Sequence, residues 1–360
     1  MSDGPTFVGD TPTRTAPVAD IRGLRVGYRT PRGPLWAVDG IDLQIAPGES
    51  VGLVGESGCG KSSLGRGLVQ LLPPGAGVRG SVELDGEELV GASASALRRK
   101  RGDDIALVFQ EPMTRLDPLM KVSSHFIETI RAHRPGVSKD EAHHMARTAL
   151  AQMGIPPTRV DDYPHEFSGG MRQRIMIALA IVLQPKLIVA DEPTTALDVI
   201  VESQILDILD RLRRDESVGL VLITHNLGIV AETCDRVAVM YAGRIVEVGP
   251  VEEIFRDPKH PYTRGLLAST ISLETTELHT IEGYPPDLID PPPGCRFNPR
   301  CPDRMPHCTQ IDPVLTPVAA TGAHQAGFAP GAHQAACLLY PGADGSRPAE
   351  SAERAEGDSL

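Results

Sequence analysis

A glycine-rich segment at residues 55–62 carries the residue types that bind a phosphate group. It reads Gly-Glu-Ser-Gly-Cys-Gly-Lys-Ser and fits the phosphate-loop pattern at every position. The glycines allow backbone N–H groups to turn inward around a β-phosphate. Lys61 would place its charge on the β- and γ-phosphate oxygens, and the Ser62 hydroxyl would be a ligand for Mg²⁺. A predicted strand at residues 50–54 and a predicted helix extending to about residue 72 favour a phosphate site over a chance glycine-rich turn.

Two acidic residues follow directly on a second apolar run. Residues 187–190 read Leu-Ile-Val-Ala, and Asp191 and Glu192 come next. In phosphoryl transfer, an acid at a strand end can hold Mg²⁺ and an adjacent carboxylate can orient or deprotonate the attacking water. We therefore assign Asp191 to the metal and Glu192 to the water, and prefer this to a solvated acidic turn because an apolar strand precedes the pair. Together the two sites predict hydrolysis of a nucleoside triphosphate.

Both groups need a sheet that brings their strand ends together. Residues 20 to about 91 show short strands with turn signals, including a hairpin centred on Asp85-Gly86. Helical signals dominate residues 112–175, and the apolar segment 171–183 predicts a buried helix. Further predicted elements are a strand at 105–109, a helix at 139–153, strands at 187–190 and 219–223, and a hairpin that closes near 249. The two short apolar runs at 187–190 and 219–223 end in polar residues, as buried parallel strands do where their carboxyl ends form a site.

Composition and charge argue against several classes of protein. The net charge of −12 disfavours a nucleic-acid partner held by phosphate neutralisation. The longest apolar stretch, residues 175–183, falls short of the roughly 18 residues that a membrane-spanning helix needs. The N-terminal residues lack the charged-then-apolar pattern of a signal peptide. We therefore expect a cytosolic chain that reaches a membrane only through a partner.

The segment before the acidic strand indicates a family. Residues 167–174 read Phe-Ser-Gly-Gly-Met-Arg-Gln-Arg, which resembles the LSGGQ signature of ATP-binding cassette proteins, with Phe for Leu and Met for Gln. The Ser-Gly-Gly core is retained, and bare amides at a helix start can bind an anion; an ordinary N-capped helix is the alternative. The resemblance implies an α/β fold. Its parts would be a RecA-like phosphate-loop NTPase core, an antiparallel β subdomain, a helical signature subdomain and a cysteine-containing C-terminal extension.

The resemblance also implies roles for single residues. His225, after the strand at 219–223, matches the switch histidine that hydrogen-bonds the γ-phosphate. Gln110 matches the glutamine that senses Mg²⁺ and contacts the membrane subunits, and Asp198 lies in the loop that crosses between two ATPases. Tyr28 matches the aromatic residue that stacks on adenine, with Trp36 as its competitor. The implied ATP-binding set is Tyr28, Gly55, Ser57, Gly58, Gly60, Lys61, Ser62, Ser63, Gln110, Ser168, Gly169, Gly170 and Asp198; Glu192, His225 and Lys61 would be catalytic, and Ser62, Gln110 and Asp191 would bind magnesium.

Longer segments narrow the resemblance to the ATPases of dipeptide and oligopeptide importers. They are VGESGCGKSS, FQEPMTRLDP, FSGGMRQRIMIA, ADEPTTALDV and the later HPYT at residues 260–263. The family arrangement implies a second similar ATPase packed head to tail, so that each ATP lies between the phosphate loop of one subunit and the Ser-Gly-Gly of the other. It also implies two transmembrane permease subunits, an extracytoplasmic substrate-binding protein and a peripheral position on the cytoplasmic side of the membrane. Related importers of nickel and of some sugars carry similar ATPases, so the solute stays open.

Two other functions compete with this interpretation. A soluble cassette ATPase of DNA repair or translation usually carries two cassettes or long inserted arms, and neither is present. A metal-binding regulatory module would use the nucleotide only as a conformational signal, without turnover. For the importer ATPase we expect a disordered tail at 1–19, a cassette domain at 20–250 with a helical subdomain at about 112–175, an oligopeptide-transporter-type extension at 251–342 and a disordered tail at 343–360.

Four cysteines cluster near the C-terminus: Cys295, Cys301, Cys308 and Cys337. In a reducing cytosol, such clustering favours metal or cluster ligation over disulfides. The resemblance extends to these cysteines, which are associated with a [4Fe–4S] cluster in some family members, and four thiolates suit such a cluster. Zinc more often uses the short C-x2-C pairs that are missing here. Zinc or another metal, and unligated thiols, stay open as alternatives.

Overall fold

The structure is a computed structural model that describes residues 16–109, 116–194, 199–269, 280–318 and 332–345. Two residues of the implied nucleotide site, Gln110 and Asp198, lie outside these ranges. No helix within the ranges is both long and apolar enough to cross a membrane.

Strands and helices alternate along most of the chain. The strands are β1 (Ala19–Thr30), β2 (Gly33–Ile45), β3 (Ser50–Val54), β4 (Gly77–Leu84), β5 (Glu87–Glu88), β6 (Ile105–Val108), β7 (Leu187–Asp191), β8 (Gly219–Ile223), β9 (Arg236–Tyr241), β10 (Arg244–Pro250), β11 (Thr316–Pro317) and β12 (Gln334–Ala335). The helices are α1 (Lys61–Leu68), α2 (Ala94–Asp103), α3 (Val122–His133), α4 (Lys139–Gln152), α5 (Gly169–Ile181), α6 (Val199–Glu216), α7 (Leu227–Thr233), α8 (Val251–Arg256) and α9 (Pro261–Ala268).

A mostly parallel sheet positions the predicted chemical groups. Its order is β11-β12-β10-β9-β3-β8-β7-β6, and the five strands from β9 to β6 are parallel to one another. Every residue of β3, β7 and β8 is buried, as expected for strands covered on both faces. Because the carboxyl ends of parallel strands meet at one edge, the segments that follow β3, β7 and β8 lie side by side. The sequence-based bounds of β3 and β8 are confirmed.

A second, antiparallel sheet differs from the sequence-based expectation of short strands. Its order is β2-β1-β4-β5, and β1 and β2 pair along almost their whole length, from Ala19↔Ile45 to Thr30↔Gly33. Two glycines of this region, Gly23 and Gly40, have positive φ angles and lie at register shifts inside the strands. A glycine in this conformation makes a β-bulge, so the strand bends and continues. The hairpin at Asp85-Gly86, between β4 and β5, is confirmed.

The helical segment packs as its apolar patterns predict. Buried side chains of α3, α4 and α5, among them Phe126, Ala146 and Ile177, form one core with β7 and α6. The predicted helix at 139–153 is α4, and the predicted buried helix at 171–183 is α5, which begins two residues earlier. The helix after the phosphate loop was predicted too long: α1 ends at Leu68, because Gln70 adopts a φ of 54° that no α-helix continues through.

The C-terminal region (residues 251–269, 280–318 and 332–345) is joined to the large sheet. Strand β12 pairs with β10, and β11 pairs with β12. Tyr241 of β9, Tyr262 of α9 and Phe297 form an aromatic cluster with ring centroids 4.6–5.4 Å apart. The ordered core reaches into both predicted tails, since Val18, Ala19 and Ala343 are buried.

Candidate nucleotide site

The loop between β3 and α1 has a shape that requires glycine at two positions. Gly55 has a φ of 148°, and a Cβ there would lie 2.1 Å from the Met240 carbonyl oxygen. Gly60 has a φ of 109°, and its Cβ would lie 2.0 Å from the Ala37 carbonyl oxygen. Both the dihedral and the space exclude a side chain. The loop is therefore wrapped closely against β2 and β9, with Ser57 and Gly58 exposed at its outer side.

Lys61 lies inside this loop. Its side chain is buried, and Nζ donates hydrogen bonds of 2.7 Å to the Gly55 carbonyl oxygen and 3.0 Å to the Glu56 carbonyl oxygen. Helix α1 begins at Lys61, so its free N–H groups and positive dipole end face the same space. A lysine and a helix start directed at one loop make a site for a polyanion such as a triphosphate.

The metal-binding candidates lie at the edge of this space. Ser62 Oγ donates a 2.9 Å hydrogen bond to Oδ1 of Asp191, the last residue of β7. Burial of the Asp191 side chain raises its pKa, although the hydrogen bond from Ser62 opposes the shift. A hydroxyl and a carboxylate oxygen at hydrogen-bond distance are the donors that Mg²⁺ prefers. These two residues therefore fit a magnesium ion at the end of the phosphate loop.

Glu192 and His225 face each other across the ends of β7 and β8. Oε1 of Glu192 lies 3.5 Å from Nδ1 of His225, and the Glu192 N–H donates to the Ile223 carbonyl oxygen at 2.9 Å. Glu192 has a φ of 47°, a left-handed conformation that is strained for a residue with a side chain. In this conformation the Glu192 carboxylate lies beside the His225 ring. The side chain of His225 is 70% exposed, so it is accessible to a ligand.

Of the two aromatic candidates for the adenine, Tyr28 is the one placed beside the phosphate-loop helix. Its hydroxyl donates a 3.1 Å hydrogen bond to Oγ of Ser63 in α1. The Trp36 ring instead lies beside two arginines, with the guanidinium carbons of Arg25 and Arg79 at 6.0 and 5.4 Å from its centroid.

The Ser168–Gly170 segment forms the start of α5. Ser168 is the N-cap, and its side chain accepts a 3.3 Å hydrogen bond from the Met171 N–H. Ser168 and Gly169 are exposed, and a Cβ on Gly169 would meet nothing within 4 Å. Both oxygens of Ser168 accept hydrogen bonds from the first turn of α5, its side chain from the Met171 N–H and its carbonyl from the Arg172 N–H. The structure thus gathers one half of the implied site at the phosphate loop and leaves the other half facing solvent.

Two family models match separate parts of this chain. A family model described as "ABC transporter" matches residues 38–195, and one described as "Oligopeptide/dipeptide transporter, C-terminal region" matches residues 246–308. The dipeptide transport ATP-binding protein DppD of Bacillus subtilis is 44% identical over 305 residues, covering 83% of this chain and 91% of that protein. This chain belongs to the ABC transporter family. The oligopeptide transport ATP-binding protein OppD of the same organism is 45% identical over 291 residues, covering 79% of this chain and 81% of that protein.

A solved cassette has the same fold as this ABC transporter chain. It is the dimeric structure of an ATP-binding cassette in a post-hydrolysis state, bound to ADP and Pi. The TM-score is 0.59 at 26% sequence identity, and the match covers 65% of this chain and 98% of the solved one. Because the match covers nearly all of the solved cassette, the two chains share the cassette fold.

Several contacts around the candidate nucleotide site were not predicted from the sequence. Arg300 of the C-terminal region forms a two-point ion pair with Glu56, and the Glu56 N–H donates a 2.8 Å hydrogen bond to the Tyr262 hydroxyl. Gln173 of α5 donates a 2.6 Å hydrogen bond to the carbonyl oxygen of Pro193, just after Glu192. No local pattern marks these residues, since even Gln173 stands between two arginines at the start of α5.

The four clustered cysteines line one enclosed cavity, hereafter the cysteine cavity. Cys295, Cys301, Cys308 and Cys337 share its wall with apolar side chains including Phe297 and Leu338. Burial raises the pKa of Cys295 to about 12 and that of Cys301 to about 11, so these thiols stay protonated unless a cation compensates. In the part of the chain that the structure describes, no three His, Cys, Asp or Glu side chains are placed to hold a metal ion.

Proposed function

We propose that this chain is the ATP-hydrolysing subunit of an importer of dipeptides or oligopeptides. The observation that carries the proposal is the meeting of Ser62, Asp191 and the buried Lys61 at one loop, with Glu192 and His225 beside them. The peptide part is supported by the match of the C-terminal family model and by the printed names of the relatives DppD and OppD. The alternative is that the same ATPase energises the import of nickel or another small solute.

Each residue of the site has a distinct role in ATP hydrolysis. The loop amides and Lys61 bind the β- and γ-phosphate oxygens, and Tyr28 stacks on the adenine. Magnesium held by Ser62 and Asp191 would neutralise charge on the phosphates. Glu192 orients a water molecule and accepts its proton, while His225 donates a hydrogen bond to the γ-phosphate. The remaining N–H donors come from Ser168 to Gly170 of a second subunit, and Gln110 and Asp198 complete the site in this proposal.

The phosphate loop and the exposed Ser168–Gly170 segment support a complex of two ATPase subunits. A second, similar ATPase packs head to tail with this chain, and the exposed Ser168 and Gly169 face its nucleotide. Two permease subunits and an extracytoplasmic substrate-binding protein complete the importer, with our chain on the cytoplasmic side of the membrane. Within the chain, we propose a cassette domain at 20–250 with a helical subdomain at about 112–175, followed by the extension at 251–342.

The deciding experiment is ATP turnover by the whole transporter in lipid vesicles. Glu192→Gln should abolish hydrolysis while ATP binding persists, and Lys61→Ala should weaken binding itself. Glu232→Gln, the same change at an exposed position of α7, is the matched control and should turn over normally. ATP-driven uptake of labelled peptides, but not of nickel, supports the peptide assignment. An unmodified complex that binds ATP and never hydrolyses it would support a regulatory module instead.

We further propose that the cysteine cavity holds a [4Fe–4S] cluster. The supporting observation is that Cys295, Cys301 and Cys308 line one small, mainly apolar cavity together with Cys337, so a modest rearrangement of the thiols would bring them to ligand spacing. Thiolate ligands are typical of such clusters, and nothing in ATP hydrolysis requires iron, so the role would be structural or regulatory. Protein prepared without oxygen should contain about four iron and four labile sulfide per chain. Zinc in place of iron, or neither iron nor sulfide under these conditions, overturns the assignment.

A further inference from the structure

Glu56 of the phosphate loop is held at three of its groups. Its carboxylate receives Arg300, with Nη1–Oε2 at 2.7 Å and Nη2–Oε1 at 2.9 Å. Its N–H donates to the Tyr262 hydroxyl, and its carbonyl oxygen accepts from Nζ of Lys61 at 3.0 Å. Arg300 and Tyr262 belong to the C-terminal region, whereas Lys61 binds the phosphates. Glu56 therefore joins that region to the group that contacts ATP.

Arg300 is itself fixed in place. Its side chain is only 5% exposed, and the guanidinium carbon lies 5.8 Å and 6.0 Å from the ring centroids of Tyr241 and Phe297. Its remaining N–H groups donate to the carbonyl oxygens of Glu282 and Ile281 and to the Tyr241 hydroxyl. A two-point arginine–carboxylate pair fixes direction as well as distance. The C-terminal region thus specifies where this part of the loop lies.

We propose that Arg300 is a positioning residue for the phosphate loop, through which the C-terminal region sets the nucleotide affinity of the cassette. Two physical effects act in the same direction. The guanidinium group neutralises a carboxylate that would otherwise repel the triphosphate, and it reduces the conformational freedom that the loop loses on binding. The inference rests on the proposed ATP-binding function.

The same contact reaches the cysteine cavity. Cys301 follows Arg300 directly, and Cys295 precedes Arg296, which binds Asp39 and donates to the carbonyl oxygen of Ala242. Both arginines that fasten this segment to the cassette therefore neighbour a cysteine of the cavity. We therefore expect a change in the packing of Cys301 to reach Glu56 through Arg300.

Titration of the full chain with a fluorescent ATP analogue and Mg²⁺ tests the positioning role. Arg300→Met should weaken binding about tenfold, equal to about 1.4 kcal/mol, and Arg300→Lys should recover part of the loss because it restores charge without the two-point geometry. Arg304→Met, an exposed arginine four positions on, is the control and should bind as the parent does. In the assembled transporter, the KM for ATP should rise more than kcat falls.

A double-mutant comparison separates positioning from general damage. If repulsion by an unpaired carboxylate causes the loss, Glu56→Gln in the Arg300→Met background should recover affinity, and the two changes should not add. Additive losses, or unchanged affinity in Arg300→Met while Lys61→Ala abolishes binding, overturn the inference and leave the proposed function intact. If the unmodified chain does not bind ATP specifically, the proposed function itself is wrong.

Cys301→Ser tests the link to the cysteine cavity. It should weaken nucleotide binding in the parent chain and have no further effect when Arg300 is already Met. Unchanged binding in the parent background, or an equal loss in both backgrounds, shows that the cavity does not act through Arg300 and overturns this part.

Discussion

Ser62 Oγ lies 2.9 Å from Asp191 Oδ1, although the two residues are 129 positions apart in the chain. The parallel register of β3, β8 and β7 brings them together, because the phosphate loop leaves β3 at the edge where β7 ends. With Asp191 buried and its neighbour a hydroxyl group, the pair would supply two oxygen ligands to the proposed magnesium ion.

Removing the charge of Asp191 should therefore change the metal dependence of hydrolysis. Asp191→Asn keeps the size and the hydrogen bond to Ser62 but makes a weaker ligand, so the Mg²⁺ concentration for half-maximal ATPase activity should rise at least about tenfold. The measurement is ATPase rate against Mg²⁺ concentration for the assembled transporter. Asp207→Asn, at an exposed position of α6, is the control. An unchanged Mg²⁺ dependence in Asp191→Asn contradicts the metal assignment.

The phosphate loop and the acidic pair were predictable because their chemistry is local. Lys61 and Ser62 follow a buried strand within a fixed pattern, and Asp191 and Glu192 end another strand, so period and spacing alone place them at one sheet edge. The pairing of β1 with β2 was less predictable. A glycine such as Gly23 or Gly40 looks the same in the sequence whether the strand ends there or bends and continues. Pairing with the neighbouring strand determines which of the two occurs.

The contacts of the C-terminal region could not be predicted from the sequence. Arg300 and Glu56 are 244 positions apart, and each reads as an ordinary surface charge in its own segment. Their meeting depends on how α9 and residues 295–301 fold over β9, which no periodicity encodes. The position of Cys337 beside the other three cysteines could not be predicted either. The long segment between Cys308 and Cys337 permits this contact but does not require it.

The signature segment offers a test that separates function from folding. A Cβ on Gly169 meets nothing within 4 Å, so Gly169→Ala should change the free energy of unfolding by less than about 0.5 kcal/mol. In the assembled transporter the added methyl group would stand between the helix start and the partner's nucleotide, and hydrolysis should fall sharply. ATP binding to the isolated chain, which uses its own phosphate loop, should not change.

Gly170→Ala is the contrasting variant. Its Cβ would lie 2.7 Å from Cγ1 of Val201, so the Val201 side chain or α6 must shift and the thermal unfolding temperature should fall. If Gly169→Ala instead destabilises the chain as much as Gly170→Ala does, or leaves turnover intact, the proposed role of the exposed amides is wrong.

His225 should affect the chemical step more than nucleotide binding. Its exposed ring lies beside Glu192, where it can reach a γ-phosphate, and a hydrogen bond that strengthens in the transition state acts on kcat. His225→Ala should lower kcat roughly 100-fold with little change in the dissociation constant for ATP. His144→Ala, at an exposed position of α4, should leave both values unchanged. A large loss of affinity with normal kcat would assign His225 to binding alone.

Glu247 should make the stability of the chain depend on acid pH. It is fully buried in β10, and it accepts hydrogen bonds from the Lys259 N–H at 2.7 Å, the His260 N–H at 2.9 Å and Nε2 of His333 at 2.7 Å. Burial alone would raise its pKa, but these hydrogen bonds outweigh it and hold the pKa of Glu247 below the ordinary 4.5. Because the folded pKa is lowered, the stabilisation is complete above about pH 4.5 and is lost as the pH falls through the folded value.

Glu247→Gln should therefore destabilise the chain by about 3 kcal/mol at pH 7, since a buried network loses its charge. The difference from the parent in the free energy of unfolding, measured with urea at several pH values, should shrink below about pH 4.5. Glu253→Gln is the matched control: its carboxylate also approaches His333, at 3.5 Å, but it is 47% exposed, so the cost should stay below about 1 kcal/mol. A difference between Glu247→Gln and the parent that is constant from pH 7 to pH 3 would mean that Glu247 is not ionised in the folded chain, and that His260, Lys259 and His333 are held by a neutral acid.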